Sequence, residues 1–298
     1  LSGIGGACNQ YADNNVSVAD APACVTSSSA CVSLPVTFNR LDTTPDSRGV
    51  SVTFQLSPEL ELCTGNPDFD ITPATGAGSW SHPNTNLWVE ILDNGGGSYT
   101  VDRTIIGEPC GSSHGGTLFH VNVKPSSLVT TEAIGTVTVT AVTVRDCANA
   151  TLAGSPGAAG HVAINLSTPA ALAGLTAAQV KTGNDSDGTT EIALSWTAPT
   201  GDADFITIWR KGYGDYPEYN DGTGAVAVAP VDAGHGWALV TTLPATSTGY
   251  TDEPAVRDFW YYAAYVADEC GNTSPVSAIT GGTLNYHLGD VTDGIVNG

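Results

Sequence analysis

The feature that most constrains the fold of this chain is a two-residue alternation of apolar and polar side chains, which recurs from Val32 to Ala278. Helical periodicity is nearly absent. Because successive side chains of a β-strand point to opposite faces, such runs predict strands with one buried face. The clearest runs are VSLPVTF, VSVTFQL, NLWVEIL, SYTVDRTII, TLFHVNVK, GTVTVTAVTV and HVAINLS.

Short turn signals separate these runs. In DNGGGSYT, residues Gly95 to Gly97 supply the positive φ angles that a tight β-hairpin requires, so a hairpin is predicted between NLWVEIL and SYTVDRTII. Strands rich in β-branched residues and separated by Gly, Pro, Asn and Asp are typical of antiparallel β-sandwiches. The helix-like stretch ALAGLTAAQV is predicted to be a connection and not a core helix.

At 298 residues the chain has room for two domains. A Pro/Ala segment within NLSTPAALAGLTAAQV interrupts the strand pattern, and a second series of strands follows it. The sequence therefore predicts an all-β protein of two antiparallel β-sandwiches in tandem, with extended terminal arms. The predicted parts are an N-terminal arm (1–24), a first sandwich (25–167), a second sandwich (168–283) and a C-terminal tail (284–298).

Composition restricts the environment and the partners. A net charge of −21 argues against binding to nucleic acid or to an anionic membrane surface, and no apolar run approaches the roughly 20 residues of a membrane span. The seven cysteines lack zinc-site spacing and fit an oxidising compartment. We therefore expect a secreted, extracellular or cell-surface protein, with candidate N-glycosylation sites at Asn15, Asn149, Asn165, Asn184 and Asn272.

The cysteines are candidates for disulfide bonds. Cys24 and Cys31 flank the entry to the first strand, so a bond between them would fix the N-terminal arm. Cys63 and Cys110 are predicted to join neighbouring loops. Because seven is an odd number, at least one thiol is free or pairs with another chain.

The second sandwich resembles a fibronectin type III domain. The resemblance rests on Trp196, on the strands FITIWRK and FWYYAAYVAD, and on CGNTSPVS after them. In that family a Trp on the second strand packs against a Tyr on the sixth, and Asp-x-x-Gly-Asn-x-Ser often forms the last turn. The residues that match this turn are Asp268, Gly271, Asn272 and Ser274.

The first sandwich resembles a cohesin module, with another jelly-roll-type sandwich as the alternative. The resemblance rests on CVSLPVTFNR, LSPELEL, GTLFHVNVK and GTVTVTAVTVRDCANATL, which follow the cohesin order. Cohesins are protein-binding modules whose partners, the dockerins, are small calcium-loop domains. The tail segment LGDVTDG is similar to the opening of a dockerin loop.

Two groups of residues are candidate calcium ligands. An EF-type loop needs oxygen ligands at positions 1, 3 and 5, glycine at 6 and an acid at 12. With Asp290 at position 1, the register is wrong by one residue and the twelfth position is missing, so the site would be incomplete. The candidates are Asp290, Asp293 and Asn297 in the tail and Asp185, Asp187 and Glu191 in GNDSDGTTE. The stretch GNDSDGTTE is also typical of a solvated turn.

Catalytic motifs are absent from the sequence: there is no G-x-S-x-G, no H-E-x-x-H and no phosphate-binding loop. We therefore expect a non-enzymatic protein with no cofactor other than a candidate calcium ion. Aromatic residues offer a candidate platform for glycans, although the same residues also suit packing against sheet faces: Trp80, Trp88, Trp209, Trp237, Tyr213, Tyr216 and Tyr219.

These sequence features suggest two functions. The Gly-rich arm and tail have no fold of their own, and extended arms can add to the open sheet edges of another copy. The leading expectation is therefore a structural protein that assembles head to tail with copies of itself into an extracellular filament or surface assembly. The alternative is a cohesin- and fibronectin-type module of a larger secreted scaffold that binds protein or carbohydrate.

Overall fold

The structure is a computed structural model that describes residues 14–41, 45–180, 183–186, 188–214 and 224–287. It divides into two compact units, Leu1–Ser167 and Thr168–Gly298. Both units are built from β-sheets whose strands pair mainly antiparallel, which confirms the predicted all-β class. Among the described residues, no helix has the length and apolar character that crossing a lipid bilayer requires.

The described part of the first unit contains twelve strands and one short helix, α1 (Pro67–Asp70). The strands are β1 (Asn15–Val18), β2 (Val32–Asn39), β3 (Ser47–Leu56), β4 (Leu60–Leu62), β5 (Ile71–Pro73), β6 (Leu87–Gly95), β7 (Ser98–Ile105), β8 (Gly116–Pro125), β9 (Glu132–Asp146), β10 (Thr151–Leu152), β11 (Ser155–Pro156) and β12 (Gly160–Asn165).

These strands form two sheets. The first sheet has the order β11-β1-β2-β8-β4, with β5 also paired to β8. The second sheet has the order β10-β9-β3-β7-β6, with β12 also paired to β9. Strands β6 and β7 form the predicted hairpin, in which Gly95, Gly96 and Gly97 all have positive φ angles.

Alternate residues of both sheets form one hydrophobic core. Leu34, Val36 and Phe38 of β2 are buried, as are Val52 and Phe54 of β3. The residues between them face outward, so the period-2 pattern of the sequence corresponds directly to the inner and outer faces. The outer face of the second sheet is therefore polar, except where an apolar residue breaks the pattern.

The second unit has seven strands and a single 3-10 turn at Ala233–His235 in its described part. Its core lies between a three-stranded sheet, β13-β14-β17, and a four-stranded sheet, β16-β15-β18-β19, and includes Trp196 and Tyr262. The strands are β13 (Thr176–Gln179), β14 (Ile192–Ser195), β15 (Phe205–Gly212), β16 (Ala238–Pro244), β17 (Gly249–Asp252), β18 (Phe259–Ala267) and β19 (Thr283–Leu284).

The turn expected from Asp268, Gly271, Asn272 and Ser274 is formed after β18. The Asp268 carboxylate accepts hydrogen bonds from the backbone N–H and the side-chain amide of Asn272, both at 2.8 Å. The Ser274 hydroxyl accepts one from the Val266 N–H at 2.9 Å. Each of these bonds satisfies a polar group at the end of a strand, so the turn fixes where β18 stops.

The N-terminal segment differs from the predicted arm. Residues 14–24 include β1, which pairs with both β2 and β11, and Val16 and Val18 of this strand are buried in the core. Strand β1 has only four residues, too few for the alternation to stand out in the sequence. The predicted arm is therefore part of the first sandwich from Asn14 onward, and residues 1–13 lie outside the described part.

Two further segments differ from their predicted structures. The helix-like stretch ALAGLTAAQV contains strand β13, and its Leu172 is buried in the core. The start of the predicted tail also belongs to the second unit, because Leu284 lies in β19, and Asn285 and Tyr286 are buried. Residues 288–298 lie outside the described part.

The disulfide bonds differ from the predicted pairs. Cys31 is bonded to Cys63, and Cys110 is bonded to Cys147, so the pairings Cys24–Cys31 and Cys63–Cys110 are wrong. These two bonds lie within the first unit, and Cys24 and Cys270 are also disulfide-bonded.

Candidate binding face

The outer surface of the second sheet of the first unit is the candidate functional site. Strand register places its outward side chains in rows that cross β6, β7, β3 and β9. We call these side chains the outer face. One row is Trp88, Thr104, Gly49 and Arg145; the next is Glu90, Asp102, Ser51 and Thr143; the third is Leu92, Thr100, Thr53 and Ala141.

Trp88 is the outstanding residue of the outer face. It is 49% exposed, and Leu92, which lies two rows further along the same side of β6, is 44% exposed. All six tryptophans lie in the described part, and the other five are buried or half-buried. Trp80, for example, is fully buried, and its indole N–H donates to the Ser47 hydroxyl at 2.8 Å. Of the predicted aromatic candidates, Tyr216 and Tyr219 lie outside the described residues.

Hydroxyl and amide groups of the outer face bond to one another. The Thr53 and Thr100 hydroxyls are 2.9 Å apart, and the Asn94 side-chain amide donates to the Thr100 hydroxyl at 2.9 Å. The Gln55 amide donates to the Gly96 carbonyl at 2.8 Å, which ties β3 to the hairpin. These bonds hold side chains of the face in fixed positions before any partner arrives.

An open cleft of about 270 Å³ lies on this face next to Trp88. Its floor is at Gly49, where a side chain would meet the Thr104 hydroxyl at 3.4 Å. Arg145 lines the opposite side and donates to the Thr151 hydroxyl at 2.8 Å. Since it lacks a side chain, Gly49 leaves a depression between Trp88 and Arg145 into which a group of a partner can fit.

Two like charges face each other on this surface. Glu90 of β6 and Asp102 of β7 are paired in register, one row from Trp88 and one row from Leu92. Directly opposed like charges destabilise a sheet by a fraction of a kcal/mol, on the order of 0.2–1 kcal/mol. The outer face near β6 is therefore both apolar and negatively charged.

Arg103 supports the face from beneath. Only 1% exposed, it points inward from β7 and donates to the carbonyls of Ala74, at 3.0 Å, and Leu118. Burial lowers the pKa of Arg103 to about 10, so the guanidinium remains charged at neutral pH. Because Leu118 lies in β8, Arg103 joins the second sheet to the first under the site.

The candidate calcium ligands do not form a site in the described part of the chain. Asp185 is exposed and Glu191 is half-buried, and no group of three or more His, Cys, Asp or Glu side chains there could hold a metal ion. Asp185 is part of a turn closed by the Gly188 N–H at 2.8 Å. The remaining candidates, Asp187, Asp290, Asp293 and Asn297, lie outside the described residues.

The candidate glycosylation sites differ in accessibility. Asn165 and Asn184 are buried, which is incompatible with a glycan on the folded chain, and the Asn184 amide donates to the His287 carbonyl at 3.0 Å. The amides of Asn15 and Asn272 lie in hydrogen-bonded settings at β1 and at the turn after β18. Asn149 is exposed, in a turn with φ of 64°.

No protein-family model and no curated protein sequence matches this chain. In overall strand arrangement it is similar to solved cohesin modules, over about half of its length. A cohesin module from a family 33 glycoside hydrolase of Clostridium perfringens shares 14% identity, with 51% of this chain and 97% of that chain covered and a TM-score of 0.40.

Two further cohesins give similar values. A non-cellulosomal cohesin from Archaeoglobus fulgidus shares 16% identity, covering 51% of this chain and 91% of that one, with a TM-score of 0.37. A cohesin–dockerin complex from Clostridium thermocellum gives 12% identity, coverage of 51% and 94%, and a TM-score of 0.39. At these values the likeness carries no argument about what this chain binds.

Proposed function

We propose that this chain is a non-enzymatic binding module of a larger secreted scaffold and that a partner protein docks on the outer face. The observation that carries this proposal is the exposed Trp88, which lies with Leu92 on a hydrogen-bonded sheet surface. Tryptophan is among the residues most enriched at the energetic centres of protein interfaces.

The geometry of the outer face suits a protein partner. Its hydroxyl and amide groups are already held in place, so little side-chain entropy is lost on binding. The cleft next to Trp88 is open and small, whereas sites for small molecules are usually concavities of about 300–1,000 Å³ that enclose most of the ligand. The cohesin-like motifs of residues 25–167 imply the same class of partner, a protein.

Retention of a partner by variant chains tests this proposal. The intact chain, Trp88→Ala and a control, Leu128→Ala, are immobilised and exposed to the secreted proteins of the source organism. Leu128 is also an exposed apolar residue of the first unit, but it lies outside the outer face. We expect one protein to bind the intact chain and the control, with affinity at least about 30-fold weaker for Trp88→Ala, since hot-spot truncations cost about 2 kcal/mol or more.

A glycan array run on the same three proteins separates protein binding from sugar binding. A specific glycan signal that disappears in Trp88→Ala, with no protein retained by the intact chain, would overturn the proposal in favour of a carbohydrate-binding module. Equal retention of the protein by Trp88→Ala would show that the outer face is not the docking site.

The second unit is proposed to be a fibronectin type III-like spacer. Its three-stranded and four-stranded sheets, the packing of Trp196 in one core with Tyr262, and the turn at Asp268 support this assignment.

Head-to-tail assembly into a filament stays a prediction of the sequence. It rests on the predicted arm (1–24) and tail (284–298), of which residues 1–13 and 288–298 lie outside the described part. Electron microscopy of the chain with residues 288–298 deleted tests the role of the tail: fibres that form normally without these residues would rule it out.

A further inference from the structure

Strand β6 is the last strand in the order of the second sheet in the described part of the chain. It has nine residues and pairs with β7 along its length. An edge strand presents a row of unpaired backbone N–H and C=O groups to any chain that can extend the sheet. Proteins usually protect such edges with very short strands, charged side chains, proline, a β-bulge or a covering helix or loop.

The charged side chains of β6 are acidic, Glu90 and Asp93, so they repel an acidic strand but attract a basic one. The sequence of β6, LWVEILDNG, contains neither proline nor a basic residue. Its register irregularity lies between Asp93 and Gly95, beside the hairpin turn, so residues 87–92 are regular. Helix α1 contacts β6, and the charge of its Asp70 reaches Tyr99, the partner of Asp93 beside the hairpin turn. The regular part of the edge is thus long enough to pair with another strand.

Both faces of β6 offer incompletely covered apolar side chains. Leu87, Val89 and Ile91 point inward and pack against the rim of the core, but each remains partly exposed. Trp88 and Leu92 are exposed on the outer face. A strand added beside β6 would place its own alternating side chains next to these two sets and cover them.

The charge of this edge selects the partner. Glu90 and Asp102 oppose each other across β6 and β7, and Asp93 follows on the same strand. The nearby Arg103 faces the core and does not neutralise them on the surface. A second copy of this chain would bring the same acidic residues and the same net charge of −21, so self-pairing is disfavoured. Lysine or arginine of a guest strand would instead pair with the carboxylates.

We propose that the edge of β6 accepts an extended, basic segment of the partner protein as an additional antiparallel or parallel strand of the second sheet. The guest alternates apolar residues, which cover the rim of the core, with Lys or Arg residues, which meet Glu90 and Asp102. This inference rests on the proposed function, because it names how the docked protein engages the outer face.

Hydrogen–deuterium exchange of the full chain with a model peptide tests strand addition. The probe is a ten-residue peptide that alternates lysine and valine. The control peptide has the same charge but carries proline in place of valine, so that it cannot pair with a strand. We expect the valine peptide to slow exchange at least about tenfold at alternate β6 amides, those that point away from β7, because strand addition bonds them. Slowing by both peptides alike, or by neither, would overturn the proposal.

Charge reversal provides the matched variants. Glu90→Lys on the outer face should weaken binding of the valine peptide at least about tenfold. Glu253→Lys makes the same change of net charge at an exposed position of the second unit and should leave the binding unchanged. Equal weakening by both variants would mean that the peptide responds only to overall charge, which contradicts a guest strand at β6.

The outcomes distinguish this inference from the proposed function. Loss of partner retention in Trp88→Ala without protection of the β6 amides by the partner would keep the outer face as the docking site and overturn strand addition. Protection of β6 by the peptide, with no protein retained by the intact chain, would uphold strand addition and overturn the proposed docking. Protection of β6 in a dimer of the chain alone would assign the edge to a second copy and overturn the proposal.

Discussion

Asp252, at the end of β17, is 4% exposed and accepts three hydrogen bonds. Two come from the Arg210 guanidinium at 2.8 and 2.9 Å, and one comes from the Tyr262 hydroxyl at 2.8 Å. Burial, followed by the charge of Asp252, raises the pKa of Tyr262 above its ordinary range. Arg210 also lies over the Trp260 ring at 5.2 Å. Arg210 therefore balances the charge of this buried carboxylate.

Arg210→Leu is therefore expected to destabilise the second unit by about 3 kcal/mol, because it leaves a buried carboxylate without its cation. Urea unfolding monitored by fluorescence measures this change in the free energy of unfolding. Glu253→Gln removes the charge of an exposed neighbour and should change the free energy of unfolding by less than about 0.5 kcal/mol. An Arg210→Leu variant as stable as the wild type would show that the ion pair contributes nothing.

Asp20 connects the segment after β1 to β12. Hydrogen bonds from the His161 ring and the His161 backbone N–H, both at 2.8 Å, lower the pKa of the Asp20 carboxyl below its ordinary value. Because the folded-state pKa is lowered, the stability that this contact contributes is present above the ordinary pKa and is lost as the pH falls through the lowered one.

The variant His161→Ala removes the ring and leaves the backbone donor. We expect the pKa of Asp20 to rise toward its ordinary value of 3.8 in this variant. A titration of the Asp20 carboxyl carbon by NMR measures this pKa directly. An unchanged pKa would mean that the ring does not hold the segment after β1 in solution.

The disulfide pairs show why some residue contacts could not be predicted. The cysteines themselves are evident in the sequence, but the pairing of Cys31 with Cys63 depends on β8. Val32 and Leu62 both pair with Val123 of β8, from opposite sides, and this brings the adjacent Cys31 and Cys63 together. Sequence spacing carries no information about such an arrangement, because it depends on which strands become neighbours.

At the scale of elements, the β6–β7 hairpin depends on glycine. Gly96 has a φ of 61° and no atom within 4 Å of the position a side chain would take, so its role is conformational and not steric. We expect Gly96→Val to destabilise the first unit by about 1–2 kcal/mol through backbone strain.

Urea unfolding measures this loss, with Gly281→Val as the control. Gly281 also has open space around its side-chain position but lacks the positive φ angle. Its substitution should have little effect. Equal destabilisation by both variants would show that strain at Gly96 is not the cause.

The length of an element decided whether it could be predicted. The long alternating runs correspond to β2, β3 and β6 to β9, because eight or more residues establish a period of two. Strands β1, β13 and β19 have four, four and two residues, and neighbouring strands hold them in place. Their sequences are too short to carry a period, and the tertiary pairing decides their conformation.

At the scale of the whole molecule, the Cys31–Cys63 and Cys110–Cys147 disulfides should stabilise the first unit and not the second. They close loops with sequence separations of 32 and 37 residues within the first unit. On the chain-entropy account each contributes about 4 kcal/mol by restricting the unfolded chain.

Scanning calorimetry of Cys31→Ser combined with Cys63→Ser tests this expectation. The transition of the first unit should fall by about 10 °C, and that of the second unit should stay unchanged. Arg210→Leu provides the reciprocal control, since it should lower only the transition of the second unit. A single transition that shifts as a whole in both variants would contradict independent unfolding of the two units.

The outer face illustrates what the sequence could and could not predict. Alternation predicts that Trp88, Glu90 and Leu92 share one side of a strand, and Trp88 is one of the aromatic candidates for a binding platform. The sequence cannot predict that Gly49 and Arg145 lie in the same row as Trp88, because that row depends on the register of three strand pairs. It also cannot predict that β6 is an edge strand, because this depends on the order of strands in the sheet.

The most direct test of docking on the outer face is hydrogen–deuterium exchange of the full chain with and without the partner protein that it retains. If the partner docks on the outer face, we expect slower exchange in β6, β7 and β3 of the second sheet. Exchange in the first sheet and in the second unit should not change. Protection confined to the first sheet, or to the second unit, would contradict the assignment of the outer face as the docking site.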